Sequence, residues 1–358
     1  MSEEGFILIT GSSGRVGRSV IQRLGGKYPL VGFDKVSPKY KNDNLEFVQV
    51  DITSDESVKN GLHIARTKYG SRIISVIHLA DYYCFGEGAP SLYQKISVEG
   101  TERVLQEVQK FDTEQFLFSS TQLIYAPCPV GKRINENSPI DPKWGYPKSK
   151  AKAESLIEQN RGNIPTVILQ MAACYDDQCH SIPIASQIQR IYEKRLLSHL
   201  FPGNLKHGSP YLHLEDLSEA IWLAVEKRHT LPAELKLLIG EDVTLSYDQM
   251  QKLIAAHLFG KAFKTFPIPK WVAKRGAWFL GHSLFEKNFF IKPGMIDIAD
   301  DHYTLDITRA KEILGWAPRN FVGHSLPKMI KALKANLKGW YKAHNLTLPH
   351  SLHDKGQK

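Results

Sequence analysis

Through the first half of the chain, short β-branched and aromatic runs alternate with helix-length stretches, the pattern of a parallel sheet wrapped by helices. FILIT, PLVGF, LEFVQV, IISVIHL, QFLFSS and TVILQ read as strands. Between the first two, Val16, Val20 and Leu24 recur at helical spacing and stop at Gly25 and Gly26. Residues 91–110 and 146–160 also read as helices. Beyond about residue 175 the order loosens. IPIASQIQRIYEKRL and YDQMQKLIAAHLFG look helical and LKLLIG looks like another strand. The expected organisation is an α/β domain over 1–175, a smaller lobe over 176–345 and a flexible tail over 346–358. The boundary is soft, because later segments return to the sheet. No internal repeat or low-complexity tract interrupts the pattern.

Composition narrows this picture little. The chain has 358 residues, 42% of them hydrophobic and 10% aromatic, which is ordinary for a soluble protein that buries a large core. No apolar run is long enough to span a bilayer, and MSEEGFILIT leads directly into a strand with no secretory signal, so a cytoplasmic protein is expected. Four scattered cysteines fit reduced thiols better than a disulfide framework. Much of the net charge of +9 sits around KMIKALKANLKGWYK, and a solvated lysine face accounts for it without nucleic acid. Cys174, Cys179 and His180 match no common zinc spacing, and no metal is expected.

The chemistry begins at FILITGSSGRVGRSVIQRL, where Gly11, Gly14 and Gly17 stand between a strand and an amphipathic helix. Glycines there let backbone N–H groups approach a pyrophosphate, and the helix N-terminus adds partial positive charge. Ser13, Arg15 and Val16 fill the same turn. Asp34 ends the next strand, about 20 residues on, the place for a carboxylate that accepts from the adenosine ribose hydroxyls. A 2′-phosphate would meet like charge there, favouring NAD over NADP, although Lys35 and Lys39 soften that preference. Asp51 and Ile52 are placed to flank the adenine, or Asp51 simply caps its loop.

Together with TGSSGRVG, the stretches VDITSDES, HLAD at residue 78, FSST at 118, YPKSK at 146, LHLEDLSEA at 212 and LGWAP at 314 resemble the extended short-chain dehydrogenase/reductases, the group of NAD-dependent sugar epimerases and dehydratases. The resemblance spans nearly the whole chain. It implies a Rossmann doubly wound sheet, bound NAD contacted also by Leu79 and Ala80, a small-molecule substrate, and a homodimer formed through helices 91–110 and 146–160. It also implies roles for Thr121, Tyr146 and Lys150. Tyr146 and Lys150 are four apart and share a helix face. An ammonium and an oxidised nicotinamide both favour the phenolate, which then accepts a substrate hydroxyl proton. By the same analogy Lys150 also holds the nicotinamide ribose, and Thr121 holds the substrate oxygen.

The departures from the pattern define the alternatives. Gln122 and Leu123 stand where sugar dehydratases carry an acid–base pair, which argues against a 4,6-dehydratase mechanism. Gln170 and Ala173 replace the Arg and Asn of the epimerases, and Ser209 and Pro210 occupy the place of a phosphate-binding Arg. Ser97 replaces a usual Asn. The reading that remains is an epimerase or dehydrogenase acting on a secondary alcohol of a sugar-like substrate. The alternatives are a 3β-hydroxysteroid-dehydrogenase-like oxidoreductase acting on an apolar alcohol, and a non-catalytic NAD-sensing protein. FPIPKWVAKRGAWFLGHSLFEKNFFIKPGMI, over 266–296, reads as a packed helix pair, an apolar lid or a membrane-surface contact.

Overall fold

The computed structural model describes residues 5–39, 43–84, 88–281 and 293–349, with the side chains of 278–281, 293 and 294 left aside. The strands are β1 Phe6–Thr10, β2 Leu30–Asp34, β3 Glu46–Gln49, β4 Arg72–His78, β5 Asp112–Thr113, β6 Phe116–Thr121, β7 Thr166–Met171, β8 Ala173–Tyr175, β9 Leu200–Pro202, β10 Tyr211–His213, β11 Glu234–Ile239 and β12 Phe266–Ile268. The main sheet runs β11-β7-β6-β4-β1-β2-β3, all parallel, with β5 paired on β4. Strand order reverses at β1, which lies between β4 and β2, so the crevice beyond the carboxyl ends of β1 and β4 is the topological switch point.

Alternation along each strand explains the two cores. Ile7 and Ile9 point to one face, where they pack with Val20, Ile21 and Leu24 of helix Arg15–Leu24 and with Leu217 and Ile221 of helix Leu214–Glu226. Phe6 and Leu8 point to the other, against Val58 and Leu62 of helix Asp55–Tyr69, Leu105 of helix Glu99–Val108 and Ile157 of helix Gly145–Asn160. With both faces covered, the strands are apolar almost throughout. A third core, built from helices Ile182–Tyr192, Tyr247–Phe259, Val322–Ala335 and Leu337–Ala343, forms the lobe.

Two quoted motifs a hundred residues apart meet here. The Trp316 indole of LGWAP donates to the Asp216 carbonyl at 2.8 Å, and the Asp216 carboxylate accepts from the Asn320 backbone at 2.9 Å. β11 lies beyond residue 175 yet forms the sheet edge against β7, as the loosened order of the later segments suggested. The helix expected over 91–110 is less regular than its spacing implies, with a π-helical turn at Tyr93–Val98 leading into Glu99–Val108. The segment 266–296 contributes β12, paired with β9, and the helix Lys270–Gly281; its residues 282–292 lie outside the described residues, as does most of the 346–358 tail.

Candidate active site

The glycine turn is shaped by contacts that leave no room for side chains. Gly11 has φ +69°, and a Cβ there would stand 2.8 Å from the Ala80 nitrogen; a Cβ on Gly17 would stand 2.4 Å from the Gly11 carbonyl oxygen. Gly14 opens helix Arg15–Leu24 with no side-chain cap, leaving its first N–H groups toward the crevice, and Val16 packs against the sheet. The buried Ser12 hydroxyl has no hydrogen-bond partner. These features fit a pyrophosphate lying against the turn.

A chain of hydrogen bonds holds β4 to that turn. Leu79 and Ala80 N–H groups both donate to Thr10 Oγ1 at 3.1 Å. Thr101 Oγ1 donates to the Ser97 carbonyl at 2.7 Å, so it accepts from His78 Nε2 at 3.0 Å, and Thr10 Oγ1 donates to His78 Nδ1 at 2.8 Å. That assignment requires a neutral imidazole. Burial, reinforced by the Lys150 charge, lowers the His78 pKa to about 3. His78, the first residue of HLAD, thereby ties Thr10 of β1 to Thr101 of helix Glu99–Val108.

Asp34 sits across the turn, accepting from Ser13 N–H at 3.0 Å and Val36 N–H at 3.1 Å, with lone pairs remaining for ribose hydroxyls. Lys35 pairs within the fold: its Nζ lies 2.8 Å from Asp51 Oδ2. Burial alone would raise the Asp51 carboxyl, but Lys35 and Thr53 hold it down to about 2. Ile52 is buried over Gly100, whose Cβ would stand 2.8 Å from Ile52 Cδ1. The Arg15 guanidinium reaches the lobe, donating to the Ala343 carbonyl at 3.2 Å.

Further along the crevice, β6 ends at buried Thr121, and Tyr146 and Lys150 stand in the first turns of helix Gly145–Asn160. Tyr146 is half-buried, hydrogen-bonded to the Thr121 side chain and packed edge-on against Tyr83 with ring centres 4.9 Å apart. Lys150 is only 2% exposed, unlike most lysines at a helix start. Its Nζ stands 4.6 Å from the centre of the Phe118 ring and 5.9 Å from that of Tyr146, and makes an ion pair with Asp81 Oδ2 at 2.9 Å.

The Lys150 ammonium is therefore one of several groups that act on the phenol. Burial first, then the Asp81 charge, pushes the Tyr146 pKa well above its ordinary value, while Thr121 pulls it down. Behind this corner Gln170 donates to buried Glu154 at 3.0 Å and accepts from Tyr125 at 2.7 Å, so the residue in the place of an Arg closes a buried network that also takes in Lys236, whose Nζ stands 3.6 Å from Glu154 Oε2. Gln122 donates to Ser209 at 3.1 Å. Cys174, weighed for metal from sequence, lies close enough to Tyr146 to influence its phenol, and among the described residues no group of three or more ligating side chains gathers.

Comparison with known proteins is consistent with this layout. Mouse 3 beta-hydroxysteroid dehydrogenase type 7 is 25% identical over 259 residues, covering 68% of each chain. A putative UDP-glucose 4-epimerase of Methanocaldococcus jannaschii is 23% identical over 341 residues, covering 92% of this chain and 99% of that one. The solved UDP-glucuronic acid 4-epimerase of Bacillus cereus, bound to UDP-glucuronic acid and NAD, superposes with TM-score 0.71 at 19% identity over 92% of this chain and 99% of that chain. Residues 7–240 match the model of one family, and the chain belongs to it: the NAD dependent epimerase/dehydratase family.

Proposed function

We propose that the protein is an NAD-dependent epimerase or dehydrogenase that oxidises a secondary alcohol of a sugar-like substrate through Thr121, Tyr146 and Lys150. The observation that carries this reading is convergence. The glycine turn, Asp34, Thr121 and the Tyr146/Lys150 pair come from β1, β2, β6 and one helix, and all open on the same crevice beyond the carboxyl ends of the strands. The turn, Asp34, Asp51, Ile52, Leu79 and Ala80 would hold the dinucleotide. When bound, NAD accepts a hydride from the carbinol carbon and can return it.

Thr121 orients the substrate oxygen. The Tyr146 phenolate would take the hydroxyl proton as the carbinol is oxidised, becoming a neutral phenol that can give the proton back. An epimerase would reduce the ketone again, on its opposite face, before release; a dehydrogenase would release it. Gln122 and Leu123 offer no acid–base pair for elimination of water, so the reading excludes 4,6-dehydration. Assembly as a homodimer through the helices on this side of the sheet belongs to the same proposal, and light scattering tests it.

A second reading, oxidation of an apolar alcohol, is favoured by the similarity to the mouse enzyme and by Ser209, which is bonded to Gln122 where a phosphate-binding Arg would stand. Incubating the protein with NAD and a panel of nucleotide sugars and apolar alcohols separates the two. Interconversion of sugar epimers without NADH accumulation supports the first, net NADH with an apolar alcohol supports the second, and hydride transfer to none refutes both.

A further inference from the structure

Two departures from the family pattern meet in space. Asp81 stands where the family's HLAA has a small residue, and Ser97 stands in place of an Asn; the Ser97 hydroxyl donates to Asp81 Oδ1, while Asp81 Oδ2 takes the Lys150 ammonium at 2.9 Å. Ser97 is 1% exposed and the Asp81 side chain 12%, so the carboxylate is held from both sides in a poorly solvated place. A lysine meant to polarise a neighbouring phenol acts through its uncompensated charge, and a carboxylate in contact with it offsets most of that field at the phenol.

We propose that Asp81 is a positioning residue of the redox pair: its carboxylate clamps the Lys150 ammonium in place and offsets the ammonium's pull on the Tyr146 proton. The inference rests on the proposed roles of Tyr146 and Lys150. Its consequence is a base that stays protonated in the free protein and is armed by the positive charge of an oxidised nicotinamide. The ionisable groups facing Tyr146 are Asp81 and Tyr83 from the loop after β4, Cys174 from β8, and Lys150 on its own helix. Those facing Lys150 are Asp81 and His78. Of these, Asp81 supplies the negative charge.

The test uses the full chain as Asp81→Asn and Asp81→Ala, each with and without Tyr146→Phe, and follows tyrosinate absorbance against pH in the absence of cofactor. The difference between the two backgrounds isolates the Tyr146 phenol. Removing the carboxylate should shift that titration to lower pH by on the order of one unit. The rising limb of the pH–rate profile should move with it, and Asp81→Asn should keep NAD affinity in calorimetry. An unmoved phenol titration in either folded variant overturns the proposal, as does loss of NAD binding with no shift, which would mark the ion pair as merely structural. Alanine is the smaller residue found in the family pattern, so it guards against misfolding of the Asn variant. Absence of turnover in the unaltered chain refutes the redox reading alone, because the phenol titration still decides the role of Asp81.

Discussion

The glycine turn and the proposed redox corner around Tyr146 and Lys150 lie on the same crevice but are made specific in different ways. At the turn, backbone atoms exclude anything larger than hydrogen: Gly11 faces the Ala80 nitrogen and Gly17 the Gly11 carbonyl. At the corner, charges and hydroxyls from the loop after β4, β6, a π-helical turn and helix Gly145–Asn160 balance one another around Tyr146 and Lys150. A steric site tolerates almost no substitution, whereas an electrostatic site can be retuned by one charge. Agreement with the family pattern at the turn and departure from it at Asp81, Ser97, Gln122 and Gln170 are what that difference would produce.

The largest effect should come from Tyr146→Phe, which removes the proposed proton acceptor and leaves the packing. We expect turnover to fall about 10³-fold while NAD affinity is retained; unreduced activity would place the chemistry elsewhere. Gly11→Ala should be next, destabilising by on the order of 3 kcal/mol from the left-handed backbone and the clash, with NAD binding lost in calorimetry. Gly26→Ala supplies the contrast. Gly26 also has positive φ, +86°, but nothing lies within 4 Å of its added Cβ, so about 1 kcal/mol is expected in denaturant melts and binding should survive. Equal losses at the two glycines would mean that strain, not close approach, governs the turn.

A further effect is a pH dependence of opposite sign in the two halves. His78, behind the turn, is neutral in the fold with a pKa depressed to about 3, so the folded chain binds fewer protons than the unfolded one and stability is lost as pH falls from the ordinary imidazole value of 6.5 toward that figure. Glu241 joins the sheet to the lobe, accepting from Val322 N–H at 2.8 Å, and burial raises its pKa to about 8. The folded chain there binds more protons, so stability is lost as pH rises from the ordinary 4.5 through about 8. Glu241→Gln should flatten the alkaline side of a plot of melting temperature against pH and leave the acid side unchanged. A variant that still loses stability on that side would assign the effect to another group.

How much of this was legible depends on range along the chain. The strands, the glycine turn and Asp34 were readable because each is a local pattern: an apolar run, a turn that needs hydrogen at Cα, a carboxylate at a strand end. Thr121, Tyr146 and Lys150 were readable through the family resemblance, and the i, i+4 spacing alone could not tell a buried Lys150 from a solvated one. Asp81 was visible as a misfit in HLAD, yet nothing local said which charge it would meet. The pairing of Asp216 with Trp316 and Asn320, and the closure of His78 onto Thr10 and Thr101, join residues far apart in the chain and carry no periodic signal.

The order of amino acids thus specified the wound sheet, the glycine turn, the carboxylate at Asp34 and the residue types at the corner, because backbone sterics and side-chain periodicity act over a few residues. Folding alone settled that Lys150 is buried against a carboxylate, that Lys35 pairs with Asp51, and that His78 closes onto Thr10 and Thr101. Those are matters of distance and solvent exclusion between segments, and the strength of a charge depends on both.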